Sequence, residues 1–321
     1  MDTMGAMPGT GPNTGALRVV RKAPPAHFDR LPTDRTLVMG VLNITPDSFS
    51  DGGRFVEGGR VNHDLAVQAG LGLHRAGADI IDVGGESTRP GSTPTDPEDE
   101  RRRILTAVQA LFTAGALVSV DTRRPATAEA AVAAAPNPDA VIVNDVSGLV
   151  TDPAMPELVA RTGVRVIVTH NRDVPETMQE RAEYDDVVAE VLQELGQVRR
   201  RYLDAGVAED RIIIDPGIGF AKTAEQSWTM LRNLHRFTAD ADRVLVGVSR
   251  KGFLGDLLAA PSGRRPAEGR DAATVALTAL AAQAGVWAVR VHDVEANLDA
   301  VRVVAEVHGG PASSDQRSGD A

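Results

Sequence analysis

The sequence predicts a single-domain (β/α)8 barrel, the TIM barrel of the α/β class. Three observations predict it. Eight short apolar runs alternate strictly with helical patterns, which implies parallel strands joined by helical crossovers. No Gly-x-Gly-x-x-Gly follows the first run, which argues against a doubly wound open sheet. Every run ends in polar or charged residues, as expected where strand ends converge on one site.

The first run, Leu37–Ile44, leads into the loop Asn43-Ile44-Thr45-Pro46-Asp47-Ser48-Phe49-Ser50-Asp51-Gly52-Gly53. The second, Ala78–Gly85, places β-branched Ile80, Ile81 and Val83 on both faces, which suits a strand covered on both sides. Gly84 and Gly85 then let the backbone turn into Glu86, Ser87, Thr88 and Arg89. The remaining runs are Leu117–Thr122, Ala140–Val146, Val164–His170, Arg211–Pro216, Arg243–Ser249 and Ala288–His292. Helices are expected at Val61–Ala76, Pro97–Ala114, Pro125–Ala135, Pro153–Thr162, Asp185–Gly206, Ala224–Phe237, Gly269–Ala284 and Val294–Val307. The clearest is Asp185–Gly206, where Val187, Val188, Val191, Leu192, Leu195, Val198 and Tyr202 recur at helical spacing and Gly206 supplies the stop. Three spans begin with proline, which a first helical turn tolerates because no donor is needed there. The barrel is expected over residues 36–308, between a flexible N-terminal segment (1–35) and a flexible tail (309–321) rich in Gly, Pro, Ser and charge.

Composition narrows the function. A chain of 321 residues with 42% hydrophobic content can bury one large core. A net charge of −10 without a clustered basic face argues against nucleic-acid binding, so any anionic ligand needs a few local cations. Without cysteine there is no disulfide framework, thiolate metal site or cysteine nucleophile. No apolar run approaches the roughly 20 residues of a membrane span and no signal peptide is read, so a cytoplasmic protein is expected.

In chain order the strand ends offer Asn43; Asp82 with the Glu86–Arg89 loop; Asp121; Asn144 with Asp145; His170; Asp215; Ser249-Arg250-Lys251; and Arg290 with His292. Singly, Asp121 and Asp145 also read as helix caps. Arg89, Lys251, Arg290 and His292 are the cations, and two of their loops follow the seventh and eighth strands, where barrels often bind phosphate. An inward-facing Arg290 and His292 need anionic partners: a phosphate or diphosphate is favoured, with neighbouring carboxylates as the alternative. Asn43 suits a magnesium ion that keeps most of its waters, or alternatively closes the following turn. Asp121, Asn144 and Asp215 suit the donor edge of a 2-amino-pyrimidinone ring, with Lys251 bridging to the anion. Gly217–Thr223 resembles a P-loop only in passing, since no glycine precedes Lys222.

Together, Asn43–Gly53, Asp82–Gly91, Val118–Thr122, Asn144–Gly148, Asp215–Phe220, Ser249–Lys251 and Arg290–Val294 resemble the dihydropteroate synthase family of pterin-binding enzymes. The resemblance spans about Leu37 to Val307. It implies condensation of 6-hydroxymethyl-7,8-dihydropterin diphosphate with p-aminobenzoate in folate biosynthesis, sulfonamides competing for the second substrate's place. It also implies Mg2+ on Asn43 and a homodimer. Asp121, Asn144, Asp215, Lys251 and Phe220 would hold the pterin. Thr88, Arg89, Arg290 and His292 would hold the diphosphate, and Phe49, Pro90, Ser249 and Gly252 would border p-aminobenzoate. Lys251, Arg290, His292 and Asp51 would act at the reacting centre, Asp51 by stabilising positive charge as the C–O bond breaks. The arylamine is already a neutral nucleophile, so no general base is assigned.

Three departures stand out: Thr169-His170-Asn171 replaces the family's Met-His-Met, which leaves His170 a structural role; Ala221 replaces Gly; and Gly252 replaces Ser, leaving only a backbone N–H to meet a carboxylate. Folate-dependent methyl transfer and a non-catalytic pterin binder are the competing readings. The first has no need of the Thr88-Arg89-Pro90 loop or the Ser249-Arg250-Lys251 cluster, and the second is expected to lack the rim cations.

Overall fold

Valine and isoleucine dominate the eight runs, and each run becomes a slightly shorter strand. These are β1 (Leu37–Asn43), β2 (Ile80–Gly84), β3 (Val118–Asp121), β4 (Val141–Asp145), β5 (Arg165–Thr169), β6 (Ile212–Asp215), β7 (Leu245–Val246) and β8 (Ala288–Val291). The structure, a computed structural model, describes residues 24–45, 56–57, 60–87, 92, 94–174 and 177–309. All eight strands are parallel, β1 lying between β2 and β8 and the others following in chain order. A parallel bridge from Ile214 to Val244 links β6 to the start of β7, so the ring is nearly closed.

The crossovers are α1 (His63–Arg75), α2 (Pro97–Thr113), α3 (Pro125–Ala134), α4 (Ala154–Thr162), α5 (Val187–Asp204), α6 (Ala224–Arg232), α7 (Leu234–Thr238), α8 (Gly252–Leu257), α9 (Asp271–Gln283) and α10 (Val294–Val307). Three details differ from expectation. The span Ala224–Phe237 breaks at Asn233, whose side-chain amide donates to the Thr229 carbonyl (2.8 Å) and satisfies a group that a continuing helix would use. Pro97 and Pro125 open their helices, whereas Pro153 sits one position earlier, as the cap of α4. The short α8 was not expected; six residues with glycine at Gly252 and Gly255 carry no readable periodicity. No described helix is long and apolar enough to cross a membrane.

Strand alternation builds the site. Leu37, Met39, Ile80, Leu117, Ile142, Ile167, Ile213, Leu245 and Ala288 form an apolar cluster inside the ring, separate from the larger core under the helices. Side chains two residues further along a strand share its face. The layer above the apolar floor therefore holds Asp82, Ser119, Asn144, Thr169, Asp215, Gly247 and Arg290, with Asp121 and Asn43 one step higher.

Residues 24–34, part of the N-terminal segment expected to be flexible, contribute to packing. Phe28 is 6% exposed, stacks on Trp287 at 5.7 Å and lies beneath the Arg165 guanidinium at 3.7 Å, so it plugs the lower end of the ring.

Candidate functional site

Arg290 lies at the centre of the polar layer. Its Nε donates to Asp82 Oδ2 (2.6 Å) and its Nη2 to Asp121 Oδ2 (3.0 Å). Asn144 Nδ2 donates to Asp82 Oδ1 (3.3 Å), while Asn144 Oδ1 is buried without a hydrogen-bond partner among the described residues. Asn144 thus carries an unpaired acceptor and lines, with Asp121, Asp215, Lys251 and Arg290, a crevice of about 40 Å3. Burial, followed by the nearby Asp82 charge, pushes Asp121 up to about 7 despite Arg290.

Asp215 and Lys251 form the opposite wall. Burial raises the Asp215 carboxyl, opposed by the Lys251 charge and by the Gly217 N–H, which donates to its Oδ1 (2.8 Å). Burial likewise lowers Lys251 to about 8, with Asp215 opposing. The Lys251 ammonium donates to the Ile218 carbonyl and sits 4.5 Å from the Phe220 ring centre. This loop depends on glycine. Gly217 (φ +64) has no room for a Cβ, which would fall 1.9 Å from the His170 carbonyl oxygen, and one on Gly219 would press the Lys251 stem at 3.0 Å.

His292 completes the rim. Its backbone N–H donates to Ser249 Oγ (3.2 Å), and the same hydroxyl meets Nδ1 of the ring (2.9 Å). The one Ser249 side chain thus fixes both the backbone and the ring of His292 at the rim. Above the crevice opens a cleft of about 760 Å3 whose lining includes Asn43, Phe220, Gly252, Arg264, Arg265 and Arg270. A surface cavity of about 650 Å3 at the opposite end of the barrel is lined by Phe28, Arg35, Trp287 and His308 and receives none of the strand-end residues.

Other strand-end residues hold the scaffold. Asp145 accepts from the Ser147 N–H, the Thr151 hydroxyl and the Tyr202 hydroxyl (2.6 Å), which ties β4 to α5. Glu86 accepts from Thr95 N–H, Arg123 and Arg124; burial opposes its ionisation, but the Arg124 and Arg123 guanidiniums hold its carboxyl below the usual range. His170 is fully buried between Lys222 Nζ on Nδ1 (2.8 Å) and Glu194 on Nε2 (2.8 Å). Lys222 also donates to the Gly217 and Phe220 carbonyls, so this chain braces the glycine loop from behind.

Burial, then the Lys222 charge, lowers His170 to about 3. A folded value below the unfolded 6.5 means that its stabilisation is complete above pH 6.5 and is lost as the pH falls toward 3. Melting temperature is therefore expected to fall on acidification below pH 6.5, and less steeply in His170→Gln. Equal slopes in the two proteins would refute the role given to His170.

The structure brings Asn43, Asp121, Asn144, Asp215, Phe220, Ser249, Lys251, Gly252, Arg290 and His292 to one end of the ring. Phe49, Asp51, Thr88, Arg89 and Pro90 lie outside the described residues. Of the two partners expected for Arg290, a phosphate or neighbouring carboxylates, the carboxylates of Asp82 and Asp121 are the ones that meet it here. Asp82, noted at its strand end, had been given no role, and Lys222 was missing from the expected site. The inward role of Asp82 could have been read from its alternation with Ile80; Lys222 carried no signal beyond a lysine beside a glycine loop.

Residues 39–292 match the family model described as pterin binding enzyme. The chain is 48% identical over 277 residues to dihydropteroate synthase of Mycobacterium leprae, covering 85% of this chain and 94% of that protein. Among solved structures, dihydropteroate synthase of Yersinia pestis in complex with a sulfonamide drug superposes with a TM-score of 0.77 at 34% identity (87% of this chain, 96% of that one). The Xanthomonas albilineans enzyme with 4-aminobenzoic acid gives 0.75 at 39% identity (87% and 95%).

Proposed function

Because the chain belongs to the pterin-binding enzyme family, we propose that the polar end of its barrel carries out dihydropteroate synthesis as follows. The activity is that of a transferase: 6-hydroxymethyl-7,8-dihydropterin diphosphate and p-aminobenzoate condense to 7,8-dihydropteroate and diphosphate. The observation that carries the placement of the ring is the unpaired, buried Asn144 Oδ1 between two buried carboxylates and Lys251.

In this reading Asp121 and Asp215 accept the ring's N–H groups, Asn144 reads the mixed edge and Lys251 donates to a ring acceptor. A crevice of about 40 Å3 holds no bicyclic ring, so the pterin displaces Arg290 from Asp121. The released guanidinium then turns to the diphosphate beside the His292 ring, joined by Thr88 and Arg89. Phe49, Pro90, Ser249 and Gly252 border the p-aminobenzoate site. Among the described residues no three His, Asp or Glu side chains form a metal cage. The amide oxygen of Asn43, at the rim of the cleft, would suit a magnesium ion, which needs few protein oxygens when it keeps most of its waters. When bound, magnesium would neutralise charge on the departing diphosphate. Arg290 and His292 stabilise the same leaving group, and Asp51 offsets the positive charge that develops on the pterin methylene. The arylamine nitrogen attacks that carbon as its neutral free base. The C–N bond forms as the C–O bond to the departing diphosphate breaks, and the nitrogen then releases one proton to solvent. The protein works in the cytoplasm as a homodimer, supported by exposed Leu280, Val303 and Val307 on neighbouring α9 and α10.

Turnover tests the reading: with magnesium, diphosphate is expected only when both substrates are present, and no release from well-folded protein would favour a binding-only role. Its pH dependence follows from the two walls. Below about 7 Asp121 gains a proton, and above about 8 Lys251 loses one. The kcat/KM for the pterin substrate is therefore expected to be bell-shaped with its limbs near those values, whereas a profile flat from pH 6 to 9 would exclude this pair from recognition.

A further inference from the structure

Gly252 follows Lys251 at the start of α8, and the space a side chain would need there is already filled. A Cβ at 252 would lie 2.6 Å from Arg264 Nη2, 3.3 Å from its Cζ and 3.5 Å from its Nη1. The guanidinium thus occupies the volume of the missing side chain. The two positions are complementary: a residue larger than glycine at 252 and Arg264 in this place exclude one another.

The cations around the cleft differ in how firmly they are held. Arg250, in a left-handed backbone conformation (φ 59), is clamped by both oxygens of Asp271 at 2.7 and 2.9 Å. Arg270 donates to the carbonyls of Arg250 (2.7 Å) and Arg265 (2.8 Å). Arg290 is held by Asp82 and Asp121. Arg264 is also met by both oxygens of Asp256, Nε to Oδ1 at 2.6 Å and Nη2 to Oδ2 at 2.7 Å, but both of these side chains are 52% exposed, against 15% and 27% for Arg250 and Asp271. A pair so exposed is readily shared with, or exchanged for, another carboxylate. Arg264 is therefore a cation at the edge of the cleft whose carboxylate partner lies in solvent, in a chain whose net charge of −10 otherwise repels anions.

We infer that Arg264 reads the carboxylate of the aromatic amine, standing in from across the loop for the side chain that Gly252 lacks. The inference rests on the reading of Ser249–Gly252 as the border of the p-aminobenzoate site. Arg264 touches a remote part of the substrate, so it sets affinity and the preference for an anionic arylamine and leaves the bond-forming step alone.

Steady-state kinetics at saturating pterin diphosphate test this with p-aminobenzoate and its neutral amide, p-aminobenzamide. Losing one charge-assisted contact is expected to raise KM for p-aminobenzoate about tenfold in Arg264→Ala, with kcat retained and the amide unaffected. Adding Gly252→Ser to that variant should recover part of the loss, because the vacated space now admits a hydroxyl. An unchanged KM for the acid, an equal change for acid and amide, or a change confined to Arg265→Ala would each overturn the role of Arg264. The double variant Arg264→Ala, Gly252→Leu separates the two levels. If it blocks p-aminobenzoate while Arg264→Ala alone leaves KM for p-aminobenzoate unchanged, the site reading stands and only the Arg264 inference falls. If it leaves KM for p-aminobenzoate at the wild-type value, the site reading falls as well.

Discussion

Arg290→Met is expected to lower stability by about 3 kcal/mol near pH 8 and to abolish turnover, because it strands two buried carboxylates. Asp82 is wholly buried and Asp121 nearly so, and Arg290 is the cation bonded to both. The remedy open to the variant is to protonate Asp121, already pushed up to about 7. A carboxyl whose folded value exceeds its unfolded 3.8 favours folding as the pH falls through the folded value toward the unfolded one. The deficit should therefore shrink between pH 8 and pH 5, which urea unfolding at the two pH values would measure. Adding Asp82→Asn should restore much of the stability without restoring turnover. A variant as stable as wild type at pH 8 would refute the electrostatic role given to Arg290.

Asp215→Asn is expected to weaken binding of the pterin substrate by at least about a hundredfold with the fold intact. The substitution replaces an acceptor by a donor facing the donor edge of the ring, which both removes a charge-assisted bond and leaves two N–H groups opposed. The turn is spared because Asn can still accept from the Gly217 N–H, as Asp215 Oδ1 does at 2.8 Å. Calorimetric titration with the pterin diphosphate measures the loss, and the circular dichroism spectrum checks the fold. Wild-type affinity would mean that Asp215 does not read that edge.

What the sequence made legible follows from where the physics is local. Buried parallel strands are apolar over their whole length, so each strand surfaced as a run with a polar end, and helices such as α5 surfaced through their spacing. Local features that keep the pattern intact were hidden. The break at Asn233 leaves the apolar spacing unchanged, and α8 is shorter than two turns. Phe28 reads as part of a polar leader until the ring exists for it to plug. Long-range pairings were also hidden. The partners of Arg290 lie 208 and 169 positions away, so whether it met a carboxylate or a phosphate depended on ring closure. Arg264 filling the space over Gly252 likewise needs the loop between them to fold back. Residue types at strand ends thus indicated where the site lies, and the structure supplied which charges neutralise one another there.

The most direct measurement is a crystal structure with 6-hydroxymethyl-7,8-dihydropterin diphosphate bound. The ring is expected against Asp121, Asn144 and Asp215, with Arg290 swung from Asp121 to the diphosphate beside His292. A ring lodged elsewhere, with Arg290 still bridging Asp82 and Asp121, would contradict the placement of the pterin on the barrel floor.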